Sequence, residues 1–294
     1  METNNIFSAG FWENIWQQKD QYQKQKNSIA GWNNRAEEYY HNVASPSGHK
    51  RVQETLSFLN TYGLLKEKLR ILDIGSGPGN FTLAFAALGH EVVALDPAEE
   101  MLGVLKEKLQ EKPELQQLVT TVAADWHTLS LNEYDWLGQF DLVFASLTPG
   151  VSNPATLIKA MQASRKYVFL SLFAGERELS AINEISHQLL GEPFQKSNND
   201  ALLPFIWLYT KGYRPALHFA HWEHNLYQTA DEAVYGIGKM LGTRLEITSQ
   251  VEQFIREYVE KHLDDHGYFS EQRKSTAAML LWDVNKTCLT LAGS

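Results

Sequence analysis

Three carboxylates stand where a nucleoside-bearing ligand with an amine and no phosphate would need them. Asp73 ends the run "RILDIG", Asp96 ends "EVVALD", and Asp125 sits in "AADW". Between the first two lies "GSGPGNF", with Gly75, Gly77 and Gly79 at alternate positions around Ser76. Glycine there permits φ > 0 in a tight turn and lets a ligand lie against bare backbone. A phosphate-binding P-loop needs Gly-Lys-Ser/Thr, and none follows. A dinucleotide fingerprint needs glycine at its first, third and sixth positions, but the sixth here is Asn80 and the third glycine falls at the fifth. Asp73 itself would repel a pyrophosphate and suits a cationic amine. Asp96, at the tip of the next strand, suits the two hydroxyls of a ribose. Asp125 suits the amino group of an adenine, with Trp126 beside it as apolar surface. Each carboxylate alone reads equally well as a solvated loop residue; together they point to one ligand.

Those residues need a scaffold that brings strand ends together, and the pattern supplies one. "RILDIG", "EVVALD", "VTTVAAD", "FDLVFAS" and "KYVFLSLF" are short apolar runs separated by helical segments. That alternation predicts parallel strands buried on both faces in an α/β domain. Residues 1–45 read as a helical cap rich in aromatics: Trp12, Ile15 and Trp16 share one face, as do Trp32 and Tyr39. They either pack on the main domain or close over a ligand. The remaining span, 46–294, reads as the main domain, with helical insertions around 176–212 and 229–270.

At these residues the chain resembles the class I S-adenosylmethionine-dependent methyltransferases, over about residues 50–175. "ILDIGSGPG", "EVVALDPAEEML", "AAD" and "FDLVFAS" are similar to that family's first four motifs. The resemblance implies a doubly wound, mostly parallel seven-stranded sheet whose last strand, here "AMLLWDV", is antiparallel. It implies S-adenosyl-L-methionine as cofactor, with Asp73 and the Gly75–Gly79 backbone, Ser76 included, facing the methionine portion. Asp96 would hold the ribose, with Pro97 and Met101 beside the adenine. Asp125 and Trp126 would recognise the adenine edge, and Ser146 would border both cofactor and acceptor. "WNNRAEEYY" is similar to a Trp-x-x-Arg-Ala helix of the family and makes Trp32, Arg35 and Tyr39 lid candidates.

The acceptor is less legible. The exit of strand 4, "ASLTPG", lacks the Asn/Asp-Pro-Pro-Tyr/Phe signature of enzymes that methylate nucleobase amino groups, so Thr148 and Pro149 read as pocket wall or as a plain turn. The net charge of −9, from 26 basic and 35 acidic side chains, disfavours a nucleic-acid backbone as partner. His218 and His224 would share a face of an extended strand and His221 the opposite one, which argues against one metal site. Any of them, or His187, could serve as a base, and none is assigned. Phe205, Trp207, Tyr209 and Tyr213 either line an aromatic acceptor pocket or pack in the core. The first residues lack a signal-peptide pattern, no stretch has the length of a membrane span, and Cys288 is the one cysteine. The expectation is a cytoplasmic enzyme acting on a small-molecule acceptor. A non-catalytic cofactor-binding protein, or a methylase of protein or RNA, is the alternative. Oligomeric state is not legible in the sequence.

Overall fold

The computed structural model describes residues 6–23, 29–33, 46–175, 178–192, 194, 200–242 and 244–287. Helices α1 (Ala9–Gln23), α2 (Ile29–Asn33) and α3 (Pro46–Thr61) precede β1 (Arg70–Ile74). Then come α4 (Asn80–Ala87), β2 (Glu91–Asp96), α5 (Glu99–Gln110), α6 (Pro113–Gln116), β3 (Val119–Ala123), β4 (Phe140–Ser146), α7 (Pro154–Ala163) and β5 (Ser164–Phe173). The second half holds β6 (Glu178–Leu179), α8 (Ser180–Leu190), α9 (Leu202–Thr210), β7 (Ala216–Thr229), α10 (Ala230–Leu241), α11 (Ser249–Lys261) and β8 (Tyr268–Asp283).

The chain divides into two units, one of Met1–Ala174, Asn198–Ala220 and Ala277–Ser294, the other of Gly175–Ser197 and His221–Thr276. In the first, β3-β2-β1-β4-β5 run parallel and β8 joins antiparallel to β5, with Phe173 opposite Ala277 and Tyr167 opposite Asp283. The antiparallel last strand is the expected one. β1 is central, with Ile71 opposite both Val92 and Leu142. Its residues Ile71, Leu72 and Ile74 are buried, as are Val92–Leu95 and Leu142–Ala145, because helices cover both faces. Each such aliphatic side chain contributes roughly 1.5–3 kcal/mol by leaving water. Phe144 and Phe169 stack with centroids 4.6 Å apart.

One expectation is corrected by this architecture: eight strands occur among the described residues rather than seven, the extra one being β7, which pairs with β8. In the N-terminal segment, α1 lays Trp16 into the core, 6.3 Å from Trp207, and Trp207 Nε1 donates to Glu13 at 3.3 Å. α9, which carries Trp207, falls in the first unit.

The second unit has its own apolar centre. α8, α10 and α11 contribute Ile182, Ile185, Val234, Ile237, Ile255 and Val259, with Phe269. β6 pairs with β8 through Glu178–Lys274 and Leu179–Arg273. α10 is opened by a capping box between Thr229 and Glu232, and Tyr258 donates to Glu184 at 2.7 Å. No helix among the described residues is long and apolar enough to cross a membrane.

Candidate functional site

The glycine loop is built by three left-handed residues at alternate positions: Gly75 at φ 70°, Gly77 at 54° and Gly79 at 85°. Side chains rarely adopt such φ, so the spacing of the glycines follows from the turn. The loop is tied to the end of β2, where Gly75 and Ser76 donate their backbone N–H groups to the Leu95 carbonyl at 2.7 and 3.1 Å. Asp96 completes the tie. Its Oδ2 accepts from Gly77 N at 2.9 Å and its Oδ1 from Ala98 N at 2.8 Å. Burial raises the Asp96 carboxyl above its ordinary pKa, while those two N–H groups act in the opposite direction.

A cavity of about 710 Å³ opens over these strand ends. Gly75, Gly77, Asp96, Pro97, Met101, Asp125, Trp126 and Ser146 all line it, so eight of the residues singled out by sequence meet on one surface. Trp32 lines it too, packed against Ala98 and Met101, and Asn33 of the same short helix accepts from Glu100 N at 3.3 Å. Arg35 and Tyr39 lie outside the described residues.

Asp73 and Ser76 face elsewhere, onto a second cavity of about 20 Å³ lined also by Arg51, Gly75, Asn80 and Ser146. Burial drives the Asp73 carboxyl from 3.8 to about 7; a 2.6 Å hydrogen bond from Thr82 opposes this and the Asp96 charge reinforces it. Arg51, above the Phe81 ring, supplies the nearby positive charge. Arg51 Nε and Ser76 Oγ are both buried with no hydrogen-bond partner. Orphaned polar atoms of this kind suit the charged amino-acid end of a ligand. Gly79 lines neither cavity. A Cβ there would collide with the Leu105 side chain, so this glycine serves the packing of α5 on the loop. A Cβ at Gly75 would collide with Thr148.

At the β3 and β4 exits the sequence marked Asp125, Trp126, Ser146, Thr148 and Pro149 but not the residues beside them that complete this wall. Leu147 sits at φ 50°, a conformation that costs a leucine of order 1–3 kcal/mol, and its N–H donates to Ser171 O at 2.9 Å. Ser146 and Ser171 pair their hydroxyls at 3.0 Å. His127 lines the cavity, with Nε2 3.2 Å from the Pro149 carbonyl; a carbonyl only accepts, so Nε2 carries the proton. Ser152, Asn153 and Thr156 follow at the start of α7. No motif marked these residues, because a turn closed by Ser, Thr, Pro and Gly reads as ordinary loop.

Of the other candidates, Thr148 and Pro149 line the cavity, while none of the described histidine or aromatic candidates is among its lining residues. His218 stacks on Phe58 at 5.6 Å, and His221 Nδ1 lies 2.9 Å from Thr276 Oγ1, while the His224 side chain lies outside the described residues. No group of three potential metal ligands occurs among the described residues. Trp207 packs in the core, Phe205 and Tyr213 pack against it, and Tyr209 is exposed. His187 lies on α8, in the second unit.

Known proteins resemble this chain over the same strands. Residues 71–167 match the family model described as a methyltransferase domain. Over 265 residues the chain is 25% identical to an uncharacterized protein of Haemophilus influenzae, covering 87% of this chain and 89% of that one. It is 36% identical over 76 residues to the ribosomal RNA large subunit methyltransferase E of Thermoplasma acidophilum, which covers 25% of this chain and 37% of that protein. Among solved structures, a putative methyltransferase of Bacillus halodurans matches with a TM-score of 0.50 at 19% identity, over 78% of this chain and 98% of that one. The structural match supports the fold.

Proposed function

We propose that this chain, whose residues 71–167 match the model of a methyltransferase domain, is a class I S-adenosylmethionine-dependent enzyme that transfers the cofactor's methyl group to a small organic acceptor. The observation that carries the proposal is the meeting of Asp96, Asp125 and the Gly75–Gly77 backbone on one cavity. When bound, the cofactor supplies a methyl carbon on a sulfonium, open to direct displacement by the acceptor.

The residues fit that group. Each Asp96 oxygen already accepts one backbone N–H and keeps a lone pair for a ribose hydroxyl. Trp32, Pro97, Met101 and Trp126 offer apolar walls to an adenine, and Asp125 an acceptor for its amino group. Arg51 and Asp73 present opposite charges to a polar space of about 20 Å³, room for one small group such as an ammonium. The chain's own contribution to rate is then alignment: loops tied at both ends hold the reacting carbon in one line of approach. A cavity of this size suits a cofactor and a small partner, and the net charge of −9 is a poor match for a polyanion.

Calorimetry should show micromolar binding of S-adenosylmethionine, and a chain that binds none overturns the reading. Methyl-labelled cofactor incubated with a cell extract should leave its label on molecules that pass a membrane retaining macromolecules. Label held on RNA or protein would replace the acceptor class, and cofactor binding without any transfer would make the protein a non-catalytic binder.

A further inference from the structure

The turn that carries Asp125 is held by one side chain, Lys159, that no motif marks. After β3 the chain leaves regular structure, and residues 126–128 form a turn. Its N–H groups are gathered by Asp125: the backbone carbonyl accepts from Thr128 N at 3.1 Å and Leu129 N at 2.9 Å, and Oδ1 accepts from His127 N at 2.9 Å. Its carbonyl groups have no strand or helix to serve them. They converge instead on Lys159, on α7. The ammonium donates to the carbonyls of Trp126 at 2.6 Å, His127 at 3.2 Å and Leu129 at 2.8 Å. Three donors meet three acceptors, which is the full capacity of a lysine.

The same ammonium lies 5.3 Å from the centroid of the Trp126 ring, and Trp126 Nε1 donates to the Thr156 carbonyl one turn earlier on α7. Partial burial lowers the pKa of Lys159, and the Asp125 charge acts against that. Lys159 does not line the cavity; Asp125, Trp126 and His127 do. Oδ2 of Asp125 has no hydrogen-bond partner among the described residues.

We propose that Lys159 is a positioning residue for purine recognition: by clamping three carbonyls of the 126–129 turn it presents the free oxygen of Asp125 at a fixed height in the cavity. The proposal rests on the reading that an adenine occupies this end of the site. Selectivity for a 6-amino purine then depends on a side chain that never touches the ligand. A carboxylate on an unclamped turn still binds an amine, but it also swings aside for a base with a carbonyl in that place.

The test compares S-adenosylhomocysteine with S-inosylhomocysteine, its 6-oxo counterpart, by calorimetry. The wild type should prefer the adenine compound by at least about tenfold. Lys159→Met keeps the apolar stem, removes all three donors, and should bring that preference close to unity. In an Asp125→Ala background Lys159→Met should change the preference no further. If Lys159→Met does not fold, Lys159→Arg serves, whose planar fork cannot reach all three carbonyls; it should lower the preference by a smaller factor. A preference that survives in the lysine variant while Asp125→Ala abolishes it overturns the proposal alone. A preference indifferent to Asp125→Ala overturns the placement of the adenine, and the proposal with it.

Discussion

Asp73 stands on β1 and Asp125 on the turn that follows β3, either side of β2, and the protein treats the two carboxylates in opposite ways. Asp73 is buried, takes a hydrogen bond from Thr82 and lies near Arg51, and is pushed up to about 7. Asp125 is half-buried on a turn beyond the strand, held by its own backbone and, from beneath, by Lys159. The difference teaches that residue type alone does not assign a role along a sheet edge. Burial makes Asp73 sensitive to protons, whereas the turn makes Asp125 sensitive to geometry. Asp96, between them, is committed to the architecture of the site, since both of its oxygens hold backbone N–H groups.

The largest effect should therefore come from Asp96. Removing its carboxylate leaves Gly77 N and Ala98 N without acceptors and takes away the ribose partner together. Asp96→Ala should weaken cofactor binding by about a hundredfold or more, the sum of two lost charge-assisted contacts and a loosened loop. Asp96→Asn should recover little, because its amide N–H would meet one of those two donors. Calorimetry on both variants checks this, and near-normal binding by either would dissolve the contrast between Asp96 and its neighbours.

A smaller effect, with a definite sign, is expected at Asp73. Its folded pKa is raised, so between 3.8 and about 7 the folded protein holds a proton that the unfolded chain has released. Stability of the free protein consequently falls as pH rises through that window, and Asp73→Asn should remove that slope in thermal melts. A ligand ammonium reverses the situation by supplying the missing counter-charge to the ionised form. Cofactor affinity should rise about tenfold between pH 6 and pH 8, the change in ionised fraction of a group titrating near 7. In Asp73→Asn the affinity should be weaker and flat with pH. A flat wild-type profile would mean that Asp73 does not meet the ammonium.

How much of this was readable beforehand follows the same division. Glycine spacing and carboxylates at strand ends are local patterns, and they located eight residues of the cavity. Arg51 belongs to a helix far ahead of the loop it serves, and Lys159 lies some thirty residues past the turn it clamps, so no local period marks either. Trp207 read equally as pocket or core because an aromatic run on a buried helix looks the same in both; its packing on Trp16 settles it as core. β7 was legible as extended chain, but only pairing with β8 makes it an extra strand.

Gly79 gives the subtlest version of the contrast. By spacing it belongs with Gly75 and Gly77, yet it lines neither cavity, and what approaches it is Leu105 of α5. Gly79→Ala adds a Cβ at φ 85° against that side chain. The expected cost is about 1–3 kcal/mol of strain and overpacking, which lowers the melting temperature by roughly 2–4 °C per kcal/mol in a chain of this size. Cofactor affinity of the folded variant should stay within about twofold of wild type, since the N–H that reaches Asp96 belongs to Gly77. A variant that melts like wild type but binds poorly would move Gly79 to the ligand side of the loop. If it melts early and binds normally, only two of the three alternate glycines serve the ligand, and the third serves the helix that supports them.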